Sequence, residues 1–559
     1  MNLTFISFTQ TRVMSRDDPT AGANEPGQTT ALIPNQATAL SQNVHDVNKS
    51  PSATVGDEKK EPDVERKETE DTSLTTPEKP YSAFTKTEKW LIVTMAAVGG
   101  LFSPLTSNSY FPAIPTMALA FNKSTELINL TVTVYMVLQG VAPMIWGPLA
   151  DRWGRRLIFL ACLFVLTLSC VGVALTPTNA YWLLMLLRCV QAMGSASTIA
   201  LGAGVIADIA AQSERAGFYG IYSIGPMFGP CIGPVIGGAL TQSLGWRSIF
   251  WFLSICSGVW FIIMLLFFPE TLRAMVGDGS ITAPLSHRPL IPILLRHQPN
   301  VNTERPSPKP LANPFRLFLN LDVDVLLFFS GMINAIFYGV IASISSLFTE
   351  VYPFLNETDI GLCFLSIGGG MLIGGTLTGK ILDREYRNIK AKLVRKAQGQ
   401  LDANTKAADT EADPPDVKIR DEDFPIEVAR FRIMPAYLII SAIACVGYGW
   451  CLEKRVNIAI PLVLLFIMGF TVIGMMNTVQ TLTIDLAPTQ GSSITACNNL
   501  IRCSMGAVLV SIIDFIIKAV GIGWTYVILG ALCFINFPVI FFIIYVGPKL
   551  RAKRRARQM

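Results

Sequence analysis

Twelve apolar stretches of about twenty residues recur between residues 90 and 546. No other feature constrains the chain as much. A bilayer core about 30 Å thick takes about 20 helical residues to cross, and inside it every backbone N–H and C=O must bond within its own segment. The stretches fall at about 90–110, 127–149, 157–176, 181–208, 215–240, 247–268, 324–349, 359–382, 432–452, 457–484, 490–518 and 521–546. They predict an all-α polytopic membrane protein with twelve transmembrane helices. Composition agrees: 51% of residues are hydrophobic and 15% charged, against about 25% charged in soluble domains. The net charge of +5 then reflects which side the loops face, and no nucleic-acid partner is inferred from it.

Between the second and third stretches stands Gly147-Pro148-Leu149-Ala150-Asp151-Arg152-Trp153-Gly154-Arg155-Arg156. A shorter copy, Gly379-Lys380-Ile381-Leu382-Asp383-Arg384, follows 232 residues later between the eighth and ninth. Two copies in corresponding places indicate a duplicated unit, hence two six-helix pseudo-repeats. Gly147, without a side chain, is expected to admit a second helix. Asp151 is expected to face the positive N-terminus of a neighbouring helix. Arg152, Arg155 and Arg156 anchor the loop and can pair with acids across it. The cluster is expected to latch the two halves in one state and release them in another.

The remaining organisation follows from polarity. Residues 1–87 read as a disordered polar tail, residues 88–268 as a first six-helix bundle, 269–322 as a linker opening on Pro269-Glu270-Thr271-Leu272, and 323–546 as a second bundle. A long loop, 383–431, interrupts the second bundle, and a basic tail, 547–559, closes the chain. Lysines and arginines gather in the loops of one side, in the linker and in the run from Lys549 to Arg557; the opposite loops hold only Lys123, Arg247, Lys454, Arg455 and Lys518. That bias puts both termini in the cytoplasm. It leaves the sequons at Asn122 and Asn356 outside, as expected glycosylation sites. The 11 cysteines lie in or beside spans, and the three histidines (His45, His287, His297) form no ligand spacing. No metal, cofactor or disulfide framework is expected, and no nucleophile–base set or phosphate loop suggests an enzyme.

Polar residues inside spans are costly and mark function. Span four carries Arg188 and Gln191, three apart and on one face. Span eleven carries Asn498, Asn499 and Arg502 on one wall. Asn108 and Tyr110 in span one, Gln139 in span two, Asn334 and Tyr338 in span seven, and Asn477 and Gln480 in span ten are further cavity candidates. Span five repeats Gly225-Pro226, Gly229-Pro230 and Gly233-Pro234 before Gly237-Gly238. Its four-residue spacing makes a smooth helical face, and with the glycines of span eight it is expected to pack across the boundary between halves. Asp514 is the one acid well inside a span, and so the one candidate proton site. Two buried arginines with little acid favour an anionic substrate, because guanidinium binds carboxylates bidentately.

The loop motif resembles the cytoplasmic 2–3 loop signature of the major facilitator superfamily. Arg188-x-x-Gln191, the triple Gly-Pro repeat and Pro269-Glu270-Thr271-Leu272 are similar to signatures of its fungal drug:proton antiporter-1 group. Phe102 to Pro112, Asp423 to Arg430 and Asn498 to Cys503 look closest to quinidine-resistance-like and citrate-exporter-like members. The resemblance implies a plasma-membrane exporter working by alternating access, with one site near the midplane and Arg188, Gln191 and Arg502 as substrate or coupling positions. It also implies a small-molecule substrate, with protons as the candidate coupling ion, and a monomer in the bilayer is expected. The first reading is export of a small organic anion, a di- or tricarboxylate such as citrate or itaconate. A multidrug or secondary-metabolite pump is the alternative, and a transporter-like sensor the third.

Overall fold

The structure, a computed structural model, describes residues 81–211, 214–292, 318, 320–407, 425–486 and 491–558. Most of the expected polar tail, part of the linker and residues 408–424 lie outside the described residues. Every regular element among those described is a helix. Twelve are long and apolar enough to span a membrane: Lys86–Phe121, Thr125–Trp153, Arg155–Leu175, Tyr181–Ile209, Gly217–Leu244, Arg247–Phe267, Leu321–Val351, Glu357–Arg395, Ile426–Glu453, Ala459–Thr483, Ile494–Val520 and Ile522–Ala552. They are spans one to twelve below. An even number of crossings returns the chain to the face it left, here the termini face; the other is the far face.

Local chemistry sets several ends. Thr85 and Glu88 close a reciprocal capping box at the start of span one: the Glu88 carboxylate accepts from Thr85 N at 2.8 Å, and Thr85 Oγ1 accepts from Glu88 N at 3.3 Å. Span one breaks after Asn108, passes through a 3-10 turn at Phe111–Ala113 and resumes at Ile114–Phe121. The expected end of span eight at residue 382 does not appear: its helix runs on from Glu357 to Ala407. Between Gly379 and Gly399 the chain has no glycine or proline and is rich in Arg, Lys, Ala and Leu, which sustain helix outside the bilayer. Part of the expected 383–431 loop is therefore helical. The helix Phe537–Gln558 likewise carries span twelve into the basic tail.

Two seams join the halves. Spans two and eleven run antiparallel along one, and spans five and eight along the other. The glycine repeat of span five does not build its seam. Gly225, Gly229, Gly233 and Gly237 face Ala97, Pro104, Asn108 and Ser109 of span one, within the same half. The seam face of span five is instead Met227, Cys231, Pro234 and Gly238, set against Gly375, Gly368, Gly361 and Glu357 of span eight. The two faces are one to two residues, roughly 150° on average, apart on the helix. A Cβ on Gly361 would stand 2.5 Å from the Pro234 carbonyl oxygen, which belongs to the backbone and cannot swing away. Gly361→Ala is expected to cost about 1–3 kcal/mol, read as a lower melting temperature in detergent.

Toward the termini face the seams part. Met144 packs on the cluster of Val323, Leu327, Ile494 and Cys497, and Met227 lies under Gly375. Beyond them, a Cβ on Gly147, Gly217, Gly220 or Gly379 would meet no heavy atom of the described residues within 4 Å. Gly147 therefore meets no second helix among the described residues, against expectation.

Candidate functional site

Arg188 is fully buried in span four, 0% exposed. Its guanidinium carbon lies 4.1 Å from the ring centre of Tyr110 and 4.3 Å from that of Tyr135, so the planar cation stacks on two aromatic faces. Both rings are fixed through their hydroxyls, Tyr110 to Thr131 Oγ1 and Tyr135 to Ser195 Oγ, each at 2.7 Å. One turn along, Gln191 Oε1 accepts from Arg188 Nη1 at 2.6 Å, and Gln191 Nε2 donates to Cys170 Sγ at 3.1 Å. The Nε and Nη2 groups of Arg188 have no partner among the described residues. The side chain does not snorkel to a surface. It is a buried cation with unused donors.

Arg502, half-buried, holds the corresponding place in the other half. Its Nη2 donates to Asn334 Oδ1 at 3.2 Å, while Asn334 Nδ2 donates back to the Arg502 carbonyl at 2.8 Å. Met476 Sδ lies 3.6 Å from the same nitrogen, and Arg502 Nε has no partner among the described residues. Span two connects the two guanidinium sites. Tyr135 stacks on Arg188, and the next residue, Met136, touches Gly506, beside which lie Asn334 Nδ2 and Tyr338. Gly140 packs against Leu500 and Cys503, and Asn499 Nδ2 donates to the Gln139 carbonyl at 2.9 Å across the seam.

The other candidates divide. Asn498 Nδ2 donates to Gln480 Oε1 at 2.8 Å, and Gln480 Nε2 to Thr495 at 3.1 Å, one turn of span eleven nearer the termini face than Arg502. Asn477 lies beside Gly375, with its carbonyl taken by Thr481. Asn108 donates to Pro104 O at 2.7 Å and so serves the broken end of its own helix. Asp514 stands apart near the far face, bonded to Asn129. Asn122 and Asn356 are exposed at the far face. Sequence reasoning missed Tyr135, Thr131, Ser195 and Met476. The available signal for Tyr135 was its place one turn before Gln139 on the same face of span two.

The motif after span two closes within the first half and its linker and does not latch the halves. Arg155 pairs with Asp151 at 2.6 Å and Asp208 at 2.9 Å. Arg156 donates to the carbonyls of Phe268 and Leu265 at 2.8 and 2.7 Å. Arg152 is exposed. The carboxylate at a helix N-terminus is that of Glu270, not Asp151: it accepts from the backbone N–H groups of Arg155 at 2.8 Å and Arg156 at 3.2 Å, where span three begins. Nearby, the Lys89 ammonium at 2.9 Å holds the Glu214 carboxyl below its ordinary range. The second half repeats the theme with other residues, Arg430–Asp485 at 3.1 Å and Arg432–Glu385 at 2.8 Å. Asp383 and Arg384 of the short copy are exposed.

Twelve spans in two packed halves, with a buried arginine on one side of a seam helix and a half-buried one on the other, define a multi-pass membrane transporter. The Major Facilitator Superfamily family description matches residues 96–399, and this chain belongs to that superfamily. Citrate exporter 1 of Aspergillus niger is 35% identical over 86% of this chain and 90% of its own length. The MFS-type transporter phiD of a fungal species is 34% identical over 90% of this chain and 74% of its own. The MFS antiporter QDR1 of Candida albicans is 32% identical over 84% of this chain and 90% of its own. Among solved structures, a D-xylose-proton symporter shares the fold, with a TM-score of 0.56 at 13% identity over 81% of this chain and 96% of that one.

Proposed function

We propose that the chain exports a small organic anion across the plasma membrane by alternating access, with both termini in the cytoplasm. One observation carries the reading. Arg188 is a buried cation and Arg502 a half-buried one; each keeps at least one buried N–H without a partner among the described residues, and their protein partners are amides, sulfurs and aromatic rings rather than acids. A buried charge without a counter-charge is costly, and a substrate carboxylate would supply both the charge and the acceptors. The lysine and arginine bias supports the orientation. In that orientation the parted seams open toward the cytoplasm, the side from which an exporter loads. Similarity to a citrate exporter points to di- or tricarboxylates such as citrate or itaconate.

A drug or secondary-metabolite pump is the second reading, favoured by the similarity to QDR1 and by the tyrosines at Tyr110, Tyr135 and Tyr338, whose faces suit flat lipophilic cations. Efflux of labelled citrate and itaconate from loaded cells separates the two. Export that unlabelled tricarboxylates compete and lipophilic cations do not is the expected result. Surface-localised protein that exports neither acid but clears a lipophilic cation would replace the first reading by the second.

A further inference from the structure

The two seams differ in chemistry. The span five–eight seam is built mainly from small and apolar residues, with a polar contact at its far-face end, Thr358 N donating to Gln242 Oε1 at 3.3 Å. The far-face half of the span two–eleven seam is a ladder of polar pairs. Lys518 pairs with Glu126, Asn129 with Asp514, and Thr133 Oγ1 with Ser511 Oγ at 2.9 Å. Each pair crosses between halves, and the rungs follow the antiparallel register. Below them the seam turns mainly apolar, with Met136 against Gly506, Gly140 against Cys503, and Asn499 bonded to the Gln139 carbonyl. Closure at the far face therefore depends on hydrogen bonds, one of which ends on a carboxylate inside a span.

Asp514 is 8% exposed and Asn129 1%. The surroundings of Asp514 are sparsely charged. Span two brings Glu126, already paired with Lys518 from the next turn of span eleven. Span twelve brings the Tyr526 hydroxyl, bonded to Ser343 of span seven at 2.7 Å. Span seven otherwise meets this stretch with Gly339 against Leu509 and Ile513. No arginine or histidine stands in the ladder, so the carboxylate's main partner is a neutral amide.

We propose that Asp514 is a proton-binding site at which acid on the far side loosens the closed seam. This rests on the alternating-access reading above but not on the substrate. An ionised Asp514 accepts a charge-assisted bond from the Asn129 amide. Once protonated it offers a neutral acceptor, a bond about half as strong, and it withdraws a negative charge from near Lys518. The sign follows: as far-side pH falls, the proton that binds Asp514 weakens the closed ladder, and the far face opens more often. Loss of the proton restores the bond and reseals it.

The test is hydrogen–deuterium exchange of the full chain in lipid nanodiscs without substrate, corrected for the intrinsic pH dependence of exchange. Residues 125–133 and 511–518 are expected to lose protection about tenfold between about pH 7.5 and 5.5. Asp514→Asn is expected to hold them at the low-protection level at both pH values. Asn129→Leu, which leaves the acid but removes its clamp, is expected to abolish the response too. An unchanged pH response in either variant would overturn the proposal, as would a flat wild-type profile or a response lost only in Glu126→Gln. Because the readout needs no cargo, failure of organic-acid export with a normal pH response would count against the substrate alone.

Discussion

Arg188→Lys is expected to lower export about 100-fold or more while leaving the protein in the membrane at near-normal abundance. Lysine keeps the charge but not the plane. The guanidinium lies over two rings, at 4.1 and 4.3 Å, and a desolvated cation–π contact contributes about 2 kcal/mol. Its bond to Gln191 at 2.6 Å is of the charged kind, worth about 1.5–3 kcal/mol. A flexible ammonium can keep one of these contacts but not the pair of faces, the Gln191 bond and the two spare donors together. Each 1.4 kcal/mol lost in the rate-limiting step is about tenfold, so losing two contacts accounts for the expected size. Initial efflux of labelled citrate per surface copy is the measurement. Near wild-type efflux from Arg188→Lys would reduce Arg188 to a packing element. Arg502→Lys should lose less, because the backbone carbonyl of Arg502, which the substitution leaves in place, accepts the shorter of its two bonds with Asn334, at 2.8 Å against 3.2 Å.

The legibility of this protein divides along a physical line. Helix periodicity states which residues share a face, and Arg188 with Gln191 is such a case: three apart in sequence, bonded in the structure. It does not state where that face points. The Gly225–Gly237 stripe was plain in the sequence, yet it turned to span one, and the boundary fell to Cys231, Pro234 and Gly238, roughly 150° around. The same limit hid Tyr135, an ordinary aromatic until span four is seen to lay Arg188 across it. Contacts between distant stretches were out of reach for a different reason. Asn129 and Asp514 are 385 residues apart, and no local pattern couples them. The loop motif shows a third case. Its charges were legible, but their closure onto Asp208 and Glu270 depends on how the linker folds back, which composition does not encode.

That closure sets the second large effect. Gly154→Ala is expected to reduce surface abundance several-fold and lower the melting temperature. Gly154 sits at φ +100 and ψ 146, a region left essentially to glycine, so any side chain there carries about 1–3 kcal/mol of strain. Space compounds the strain: an added Cβ would run into the Glu270 carboxylate and come within 2.9 Å of the His287 ring. Glu270 cannot retreat without cost. It is 2% exposed, and besides the Arg155 and Arg156 amides it accepts from Thr271 N and Leu272 N, both at 2.9 Å. Moving it would uncap span three and leave buried N–H groups unpaired, at about 1–3 kcal/mol each. Glu270→Gln probes the same node without the strain. Its Oε1 can keep the Arg155, Thr271 and Leu272 bonds, but its amide nitrogen would then face the Arg156 N–H, donor against donor, so a smaller drop in the same direction is expected. The two variants together separate backbone strain from capping. If Gly154→Ala reaches the surface and melts like the wild type, the glycine is not required by the backbone. If only Glu270→Gln is silent, the carboxylate's charge contributes nothing and the strain at residue 154 carries the whole effect.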